Sequence, residues 1–473
     1  MAFNSLEFAL FLPVFLLIFY SVCTRERLRD ILLLVASYIF YMSWYWQYAG
    51  LIVLSTIVDY FLGRRLGQEE NQSKRKFLLI TSLVVNLGIL GIFKYYNFFF
   101  DASKTAFGFF GIEIPDLYHQ LLLPVGISFY TFQTLSYTID VYRKHIDPEK
   151  SFTKFAVFVA FFPQLVAGPI VRAKDFLPQI NKPTHVLAKD WELGIQMIFI
   201  GLFKKIIIAD LLAYLAVDAI FENPSAYSSF DLIMGLYAYT FQIYCDFSGY
   251  SDIAIGLAML MGFHLPINFN RPYLAQSPSD FWKRWHISLS SWLRDYLYIS
   301  LGGNRGTRWF TARNLMLTMV LGGLWHGAAY NFILWGAFHG LILVLSRNVI
   351  IEEKIGGRML TKMVVNFHLV VFGWLLFRVT DMSNFIEYVR GIAAFSGGTD
   401  LHPLFYLILA MAIVAHLIPR KFVEDSIVQP IESFIAERFA ILLAPIKSGI
   451  YVGLLFLFIG ASIGTPAFIY FQF

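Results

Sequence analysis

Apolar runs recur from one end of this chain to the other, and they constrain its fold more than any single motif does. Leu6–Val22, Ile31–Trp46, Gly50–Leu62, Phe77–Phe100, Gln120–Tyr142 and Phe155–Ile170 come first. Leu193–Ile220, Asp231–Phe263, Asn314–Leu345, Met363–Phe377, Pro403–Ile418 and Ser448–Phe473 follow. With 58% hydrophobic residues and 49 Phe, the apolar side chains exceed what one water-facing globule can bury. Charged residues make up 15%, against roughly 25% in soluble domains. A bilayer core about 30 Å thick takes about 20 apolar helical residues per crossing, so the pattern predicts an all-α polytopic membrane protein of about 10 to 13 segments. Asp231–Phe263 and Asn314–Leu345 are too long for one simple span, and other runs are too short to cross upright. Some segments are therefore expected to be broken or re-entrant, which is tolerated only inside protein. No dividing linker or repeat is visible, so residues 1–473 read as one integral-membrane domain.

The first run resembles a secretory signal only superficially. Arg25, Arg27 and Arg29 follow it rather than precede it, and no small-x-small site ends it, so a retained helix is expected. Cys23 and Cys245 are 222 positions apart, which gives neither a disulfide framework nor metal spacing.

Orientation follows from Lys and Arg in the short loops. Three basic loops hold Arg25/Arg27/Arg29, then Arg64/Arg65/Lys74/Arg75/Lys76, then Arg143/Lys144/Lys150/Lys154. Between the last two, Asp101 to His119 is acidic, so the alternation places the basic loops in the cytoplasm and the N-terminus outside. The block His264–Arg313 is the most basic, with Arg271, Lys283, Arg284, Arg294, Arg305, Arg308 and Arg313 against Asp280 and Asp295. Within it, Ser277-Pro278-Ser279-Asp280 is a helix start, Ser277 being the cap and Pro278 the first helical residue. Phe281, Trp282, Trp285, Leu289, Trp292, Leu293 and Tyr296 then recur at helical spacing, which predicts one amphipathic helix lying in the membrane interface. Leu301-Gly302-Gly303-Asn304-Arg305-Gly306 ends it in a glycine-rich turn.

Among ten histidines, His119, His145, His185 and His402 read as loop residues, and His368 and His416 as lone polar groups in apolar runs. His326 lies near the centre of Asn314–Leu345, in Gly322-Gly323-Leu324-Trp325-His326-Gly327. An ionisable residue that deep faces protein or a water-filled cavity and marks a functional site by default. A neutral imidazole there suits a general base; an interhelical hydrogen bond is the equally weighted bland alternative. His286 is a second candidate, on or beside the buried stripe of its helix, and His339 is assigned to packing. Asp246, in Tyr244-Cys245-Asp246-Phe247-Ser248-Gly249-Tyr250-Ser251-Asp252, interrupts an apolar run and needs a partner, which a broken helix could supply. It either lines a substrate path or locks helix packing. Nucleophile elbows, phosphate-binding loops, zinc-protease motifs and nucleic-acid fold signatures are all missing from the sequence.

Several of these stretches together resemble the membrane-bound O-acyltransferases, in particular the bacterial branch typified by the membrane subunit of alginate O-acetylation. The landmarks are Leu123-Pro124-Val125-Gly126-Ile127-Ser128-Phe129-Tyr130, Ala167-Gly168-Pro169-Ile170-Val171-Arg172 and the stretch around Asp246. More specific still is Phe281-Trp282-Lys283-Arg284-Trp285-His286-Ile287-Ser288-Leu289-Ser290, continuing through Trp292-Leu293-Arg294-Asp295-Tyr296 to Gly302-Gly303-Asn304-Arg305. Trp325-His326-Gly327 follows 40 residues after His286. The resemblance runs from Met1 to His339; beyond Arg347 the reading rests on hydropathy alone.

The resemblance implies a ring of tilted helices around a central tunnel, with His326 as the catalytic histidine. His286 would line that tunnel from the cytoplasmic side, with Trp325, Asp246, Arg284, Arg294 and Asn304 as further tunnel or donor-side residues. It implies no bound cofactor. Acetyl-CoA or an acyl-carrier thioester would be the donor, and Arg271, Lys283, Arg284 and Arg294 would face its docking side. Implied partners are membrane lipids, a periplasmic acetyltransferase or esterase-like protein and an exported polysaccharide acceptor, with no nucleic acid. The implied location is the bacterial inner membrane. Peptidoglycan or cellulose O-acetylation, teichoic-acid D-alanylation and a polysaccharide channel without chemistry are the competing readings.

Overall fold

The computed structural model describes residues 1–115, 123–347, 357–418 and Gly453, and helices are the only regular elements among them. His119 and the last apolar run, Ser448–Phe473, fall outside the described residues except for Gly453. Hydroxyl and amide side chains cap many of the helices, as Ser5, Asn71, Ser151, Ser228, Ser277 and Thr307 each accept a backbone N–H of the first turn.

The N-terminal part consists of α1 (Leu6–Val22), α2 (Glu26–Tyr45), α3 (Ala49–Gln68) and α4 (Gln72–Leu90). A wide π turn at Gly91–Tyr95 carries α4 on into α5 (Tyr96–Phe109). The combined stretch Gln72–Phe109 is one of two described helices long and apolar enough to cross a membrane; Gly357–Arg378 is the other. Helix α6 (Ile127–Tyr142) packs on α3 and α4 and is buried on almost every face. The run Phe155–Ile170 is not one span but two short buried pieces, α7 (Phe152–Ala160) and α8 (Phe162–Leu165). Then come α9 (Ala173–Ile180), α10 (Ala188–Leu202), wide turns at Phe203–Asp210 and Ala213–Val217, and α11 (Asp218–Glu222).

Helix α12 (Ser229–Leu260) corrects the expectation of a break in Asp231–Phe263: it runs 32 residues without interruption. Two of its carboxylates are partnered sideways by lysines, so no backbone donor has to be freed for them. Asp246 takes the Lys205 ammonium at 2.6 Å and Asp252 takes Lys204 at 2.7 Å. Both lysines lie in the wide turn Phe203–Asp210 that continues α10, and α10 itself runs very close to α12. Gly194 faces the Gly256 carbonyl and Gly201 the Gly249 carbonyl, where a Cβ would come within 2.8 Å and 2.5 Å. Small residues that let backbones meet are the usual device of helix packing in membranes.

The stretch expected to form one interfacial helix, Ser277–Tyr296, is broken and is not peripheral. Ser277 does cap α13 (Pro278–Trp282), accepting the Asp280 N–H at 3.2 Å. The chain then turns through His286, whose φ of 43° lies in the left-handed region, before α14 (Ile287–Trp292) and a wide turn at Leu293–Tyr298. Phe281, Trp285 and Leu289 are buried in protein rather than in headgroups, so the aromatic stripe records tertiary packing. Helices α15 (Arg308–His326), α16 (Tyr330–Ser346), α17 (Gly357–Arg378), α18 (Met382–Ala393) and α19 (Pro403–Leu417) complete the described chain.

The basic loops grouped by the charge pattern touch one another. Arg75 donates to the carbonyls of Val141 and Tyr142 at 3.2 Å and 2.7 Å, and Lys154 pairs with Glu26 at 3.1 Å. Arg143 donates to the Asp295 carbonyl at 3.1 Å, and Arg172 pairs with the Asp295 carboxylate at 2.7 Å. One face of the molecule therefore gathers the cations, and the opposite ends of α6 and α15 carry the site described next.

Candidate active site

The long run Asn314–Leu345 is broken, as its length suggested; the two pieces form a helical hairpin, and His326 is the last residue of the first arm. Gly327 is extended, and α16 returns antiparallel to α15. Glycines let the two arms of this hairpin approach closely: a Cβ on Gly323 would overlap the Phe332 carbonyl, and one on Gly336 the Met319 carbonyl. The tight fit fixes where α15 stops and so where the imidazole sits. Its ring packs against Trp325, Trp335 and Phe377 at centroid distances of 5.0, 5.2 and 5.3 Å.

A pocket reaches His326 from the end of the fold away from the basic loops. Its lining includes Lys94, Val125, Gly126, Ser128, Trp325 and His326. Gly126 (φ 75°) starts α6 with a left-handed residue against the Leu165 carbonyl, a place a side chain could not occupy. Lys94, on the wide turn between α4 and α5, donates to the carbonyls of Trp325 and His326 at 2.5 Å and 3.1 Å. Its neighbour Tyr95 donates to the Leu324 carbonyl at 2.7 Å.

His286 lies deeper, fully buried, with Nδ1 3.2 Å from Asn268 Oδ1. Asn268 Oδ1 also accepts the Ser288 hydroxyl at 2.9 Å, which holds the left-handed turn in place. Trp325 is in contact with both imidazoles: its ring is 5.9 Å from His286 and 5.0 Å from His326. From there an aromatic column leads to the basic face. Trp325 stacks on Phe132, Phe132 on Trp292 at 3.8 Å, and Trp292 meets Tyr296 at 5.2 Å. The guanidiniums of Arg143 and Arg172 then lie over the Tyr296 ring at 5.6 Å and 5.3 Å.

The structure thus brings His326, Trp325 and His286 together. It does not bring Asp246 to the pocket. Asp246 shares the Lys205 ammonium with Asp210, 2.7 Å away on the other side, so of its two proposed roles the packing lock is the one its contacts fit. Arg284 pairs with Asp280 at 2.8 Å, and Arg294 pairs with Asp295 at 2.6 Å at the basic face. Asn304 is exposed in the glycine-rich turn that precedes α15, whose far end carries His326. His339, assigned to packing, is on the second arm of the hairpin. It sits in an aromatic box with Trp335 at 4.8 Å and Trp282 at 5.2 Å. Lys94 and Asn268 are site residues the sequence reading passed over. Lys94 did carry a signal, as the lone cation inside the apolar run Phe77–Phe100; Asn268, in a loop, carried none.

A model of the membrane-bound O-acyltransferase family matches residues 142–380, which include His286, Trp325 and His326. The chain belongs to the membrane-bound O-acyltransferase family. It is an enzyme of the O-acyltransferase class and a membrane protein. The family match continues past Arg347 through α17, beyond the last motif legible in the sequence. Among its relatives is a Pseudomonas aeruginosa protein named "probable alginate O-acetylase", 47% identical over 403 residues, covering 84% of this chain and 76% of the relative. A peptidoglycan O-acetyltransferase of Helicobacter pylori is 35% identical over 78% of this chain and 75% of its own length. A teichoic acid D-alanyltransferase of Bacillus subtilis is 29% identical over 55% of this chain and 69% of its own.

Proposed function

We propose that this acyltransferase moves acetyl groups from a cytoplasmic thioester, acetyl-CoA or an acyl carrier, to a hydroxyl acceptor on the far side of the bacterial inner membrane. The destination is an exported or cell-envelope polysaccharide of alginate type, reached with the help of a periplasmic acetyltransferase or esterase-like partner. The carrying observation is the placement of His326. It closes a pocket that opens away from the basic face, while the aromatic column through Trp325, Phe132, Trp292 and Tyr296 ties it to that face. The three relatives carry names that each describe acyl transfer to a polymer. The O-acetylases among them align over more of the chain than the D-alanyltransferase, which favours acetyl over alanyl.

In the multi-pass arrangement this requires, a ring of helices encloses a path with His326 midway and His286 behind Trp325 on the donor side. The acceptor hydroxyl gives its proton to the neutral His326 imidazole as its oxygen bonds to the thioester carbonyl carbon. The tetrahedral adduct then collapses with cleavage of the C–S bond, and the imidazolium returns the proton to the departing thiolate. Arg172, Arg143 and Arg294 at the basic face offer guanidiniums to the phosphates of a CoA-type donor. General acid–base help of this kind is worth roughly 10²–10⁴-fold in rate.

The test uses full-length protein in lipid nanodiscs with labelled acetyl-CoA as donor, alongside the acetyl content of envelope polysaccharide in cells with and without the gene. His326→Ala is expected to remove both label transfer and polysaccharide acetate while inserting and melting like the parent. Acetylation that survives in this variant overturns the assignment.

A further inference from the structure

Helix α15 ends in an unusual way. The last four carbonyls of a helix lack partners within it, and a left-handed glycine just past the end commonly satisfies some of them. Gly327 is extended instead, with φ −164° and ψ 155°, so no such cap can form. The missing donors come from another part of the chain. Lys94 Nζ holds the carbonyls of Trp325 and His326, and Tyr95 Oη holds that of Leu324. Both belong to the wide turn Gly91–Tyr95, which lies in the middle of the apolar stretch Gln72–Phe109. Single wide turns of this kind re-aim side chains and gather at functional sites.

We propose that Lys94, supported by Tyr95, is a positioning residue for His326, an inference that rests on the acyl-transfer reading above. Its ammonium satisfies the negative end of α15 and pins the peptide that bears the reacting imidazole. It also lies 5.8 Å over the Trp325 ring and 3.4 Å from Ser128 Oγ, which joins α15, the α4–α5 turn and the start of α6 at one point. A cation whose contacts are two backbone carbonyls, a hydroxyl and an aromatic face has no carboxylate to pair with among these contacts. Lys204 and Lys205 differ, each holding a carboxylate at 2.7 Å, while Arg75 at the basic face is held by backbone carbonyls in the same manner as Lys94. Lys94 is thus retained at the pocket for the helix end it holds. Displacing a catalytic group by about 1 Å costs on the order of 10²-fold in rate, so the clamp acts on turnover rather than on donor binding.

The experiment compares wild type, Lys94→Met, Lys94→Arg and Tyr95→Phe in nanodiscs, reading kcat and KM with acetyl-CoA as the probe donor. Lys94→Met is expected to lower kcat roughly 10- to 100-fold with KM for acetyl-CoA unchanged. Lys94→Arg, which still offers cationic donors to the carbonyls, recovers most of that loss, and Tyr95→Phe lowers kcat several-fold. Unchanged kcat in Lys94→Met, a loss carried by KM, or an arginine variant as defective as the methionine one overturns the proposal. If Lys94→Met does not fold, as judged by gel filtration and melting, Tyr95→Phe decides alone: unchanged kcat refutes the clamp. A dead His326→Ala beside a fully active Lys94→Met refutes the clamp and leaves the acyl-transfer reading standing. An active His326→Ala refutes that reading instead.

Discussion

Two regions inside this fold hold polar groups at depth, and they differ in how the ionisable side chains are partnered. Between α12 and the wide turn that follows α10, both lysines are matched: Lys205 bridges Asp210 and Asp246, and Lys204 pairs with Asp252. Around Trp325 the polar atoms are left over. His286 Nε2, both nitrogens of His339, and the indole nitrogens of Trp282, Trp325 and Trp335 have no hydrogen-bond partner among the described residues. An unsatisfied buried polar atom costs about 1–3 kcal/mol, so a chain that carries several together is under a load that packing alone does not repay. The first region closes its charges on one another, and the second is the one on which the proposed acyl transfer rests.

The contrast can be broken most severely at the two centres themselves. His326→Ala should cost the roughly 10²–10⁴-fold of acid–base catalysis and little stability, whereas Lys205→Met should do the reverse. Removing that ammonium leaves Asp210 and Asp246 facing each other without their shared counter-charge, a loss of about 3–5 kcal/mol that the melting temperature in detergent will report. If Lys205→Met melts normally yet loses acetylation, the charged strip belongs to the chemistry and the division fails.

Gly323→Ala probes the boundary between the regions. Its methyl group meets the Phe332 carbonyl, so the hairpin must open. The expected stability loss is about 1–3 kcal/mol, read by thermal unfolding. A fall in kcat of roughly ten-fold or more should accompany it, because His326 moves with its helix end. The smallest effect is expected at the rim. Arg294 is 63% exposed at its side chain and paired with Asp295. Arg294→Gln should change stability by no more than about 0.5 kcal/mol while raising KM for a CoA-type donor. A kcat effect without a KM effect there would place Arg294 closer to the reacting atoms than the basic face.

Motifs were legible because they carry their own context. The Ser277 cap, the cationic loops and Trp325-His326-Gly327 announce themselves in a few consecutive residues; the cap forms as read, the cations gather on one face, and His326 borders a pocket. What misled was periodicity. Phe281, Trp285, Leu289 and Trp292 repeat at helical spacing whether the helix is continuous or broken at His286, because both segments bury the same side. The polar interruption in α12 suggested a break for the converse reason. A carboxylate at depth needs a partner, and the sequence cannot show that Lys205, 41 positions upstream, is the partner it finds.

The sequence by itself determined the solvent and the class, and it singled out the histidine on which the proposed chemistry rests. Apolar runs demand a membrane, and an imidazole between glycines inside one of them is costly enough to need a purpose. Only the tertiary structure decided how that imidazole is held. Lys94 lies 232 positions from His326, in a run where it reads as a blemish, and meets it because a wide turn aims it at the end of another helix. Helix ends are satisfied by whatever donor packing delivers, and local sequence carries no record of a partner that arrives through space.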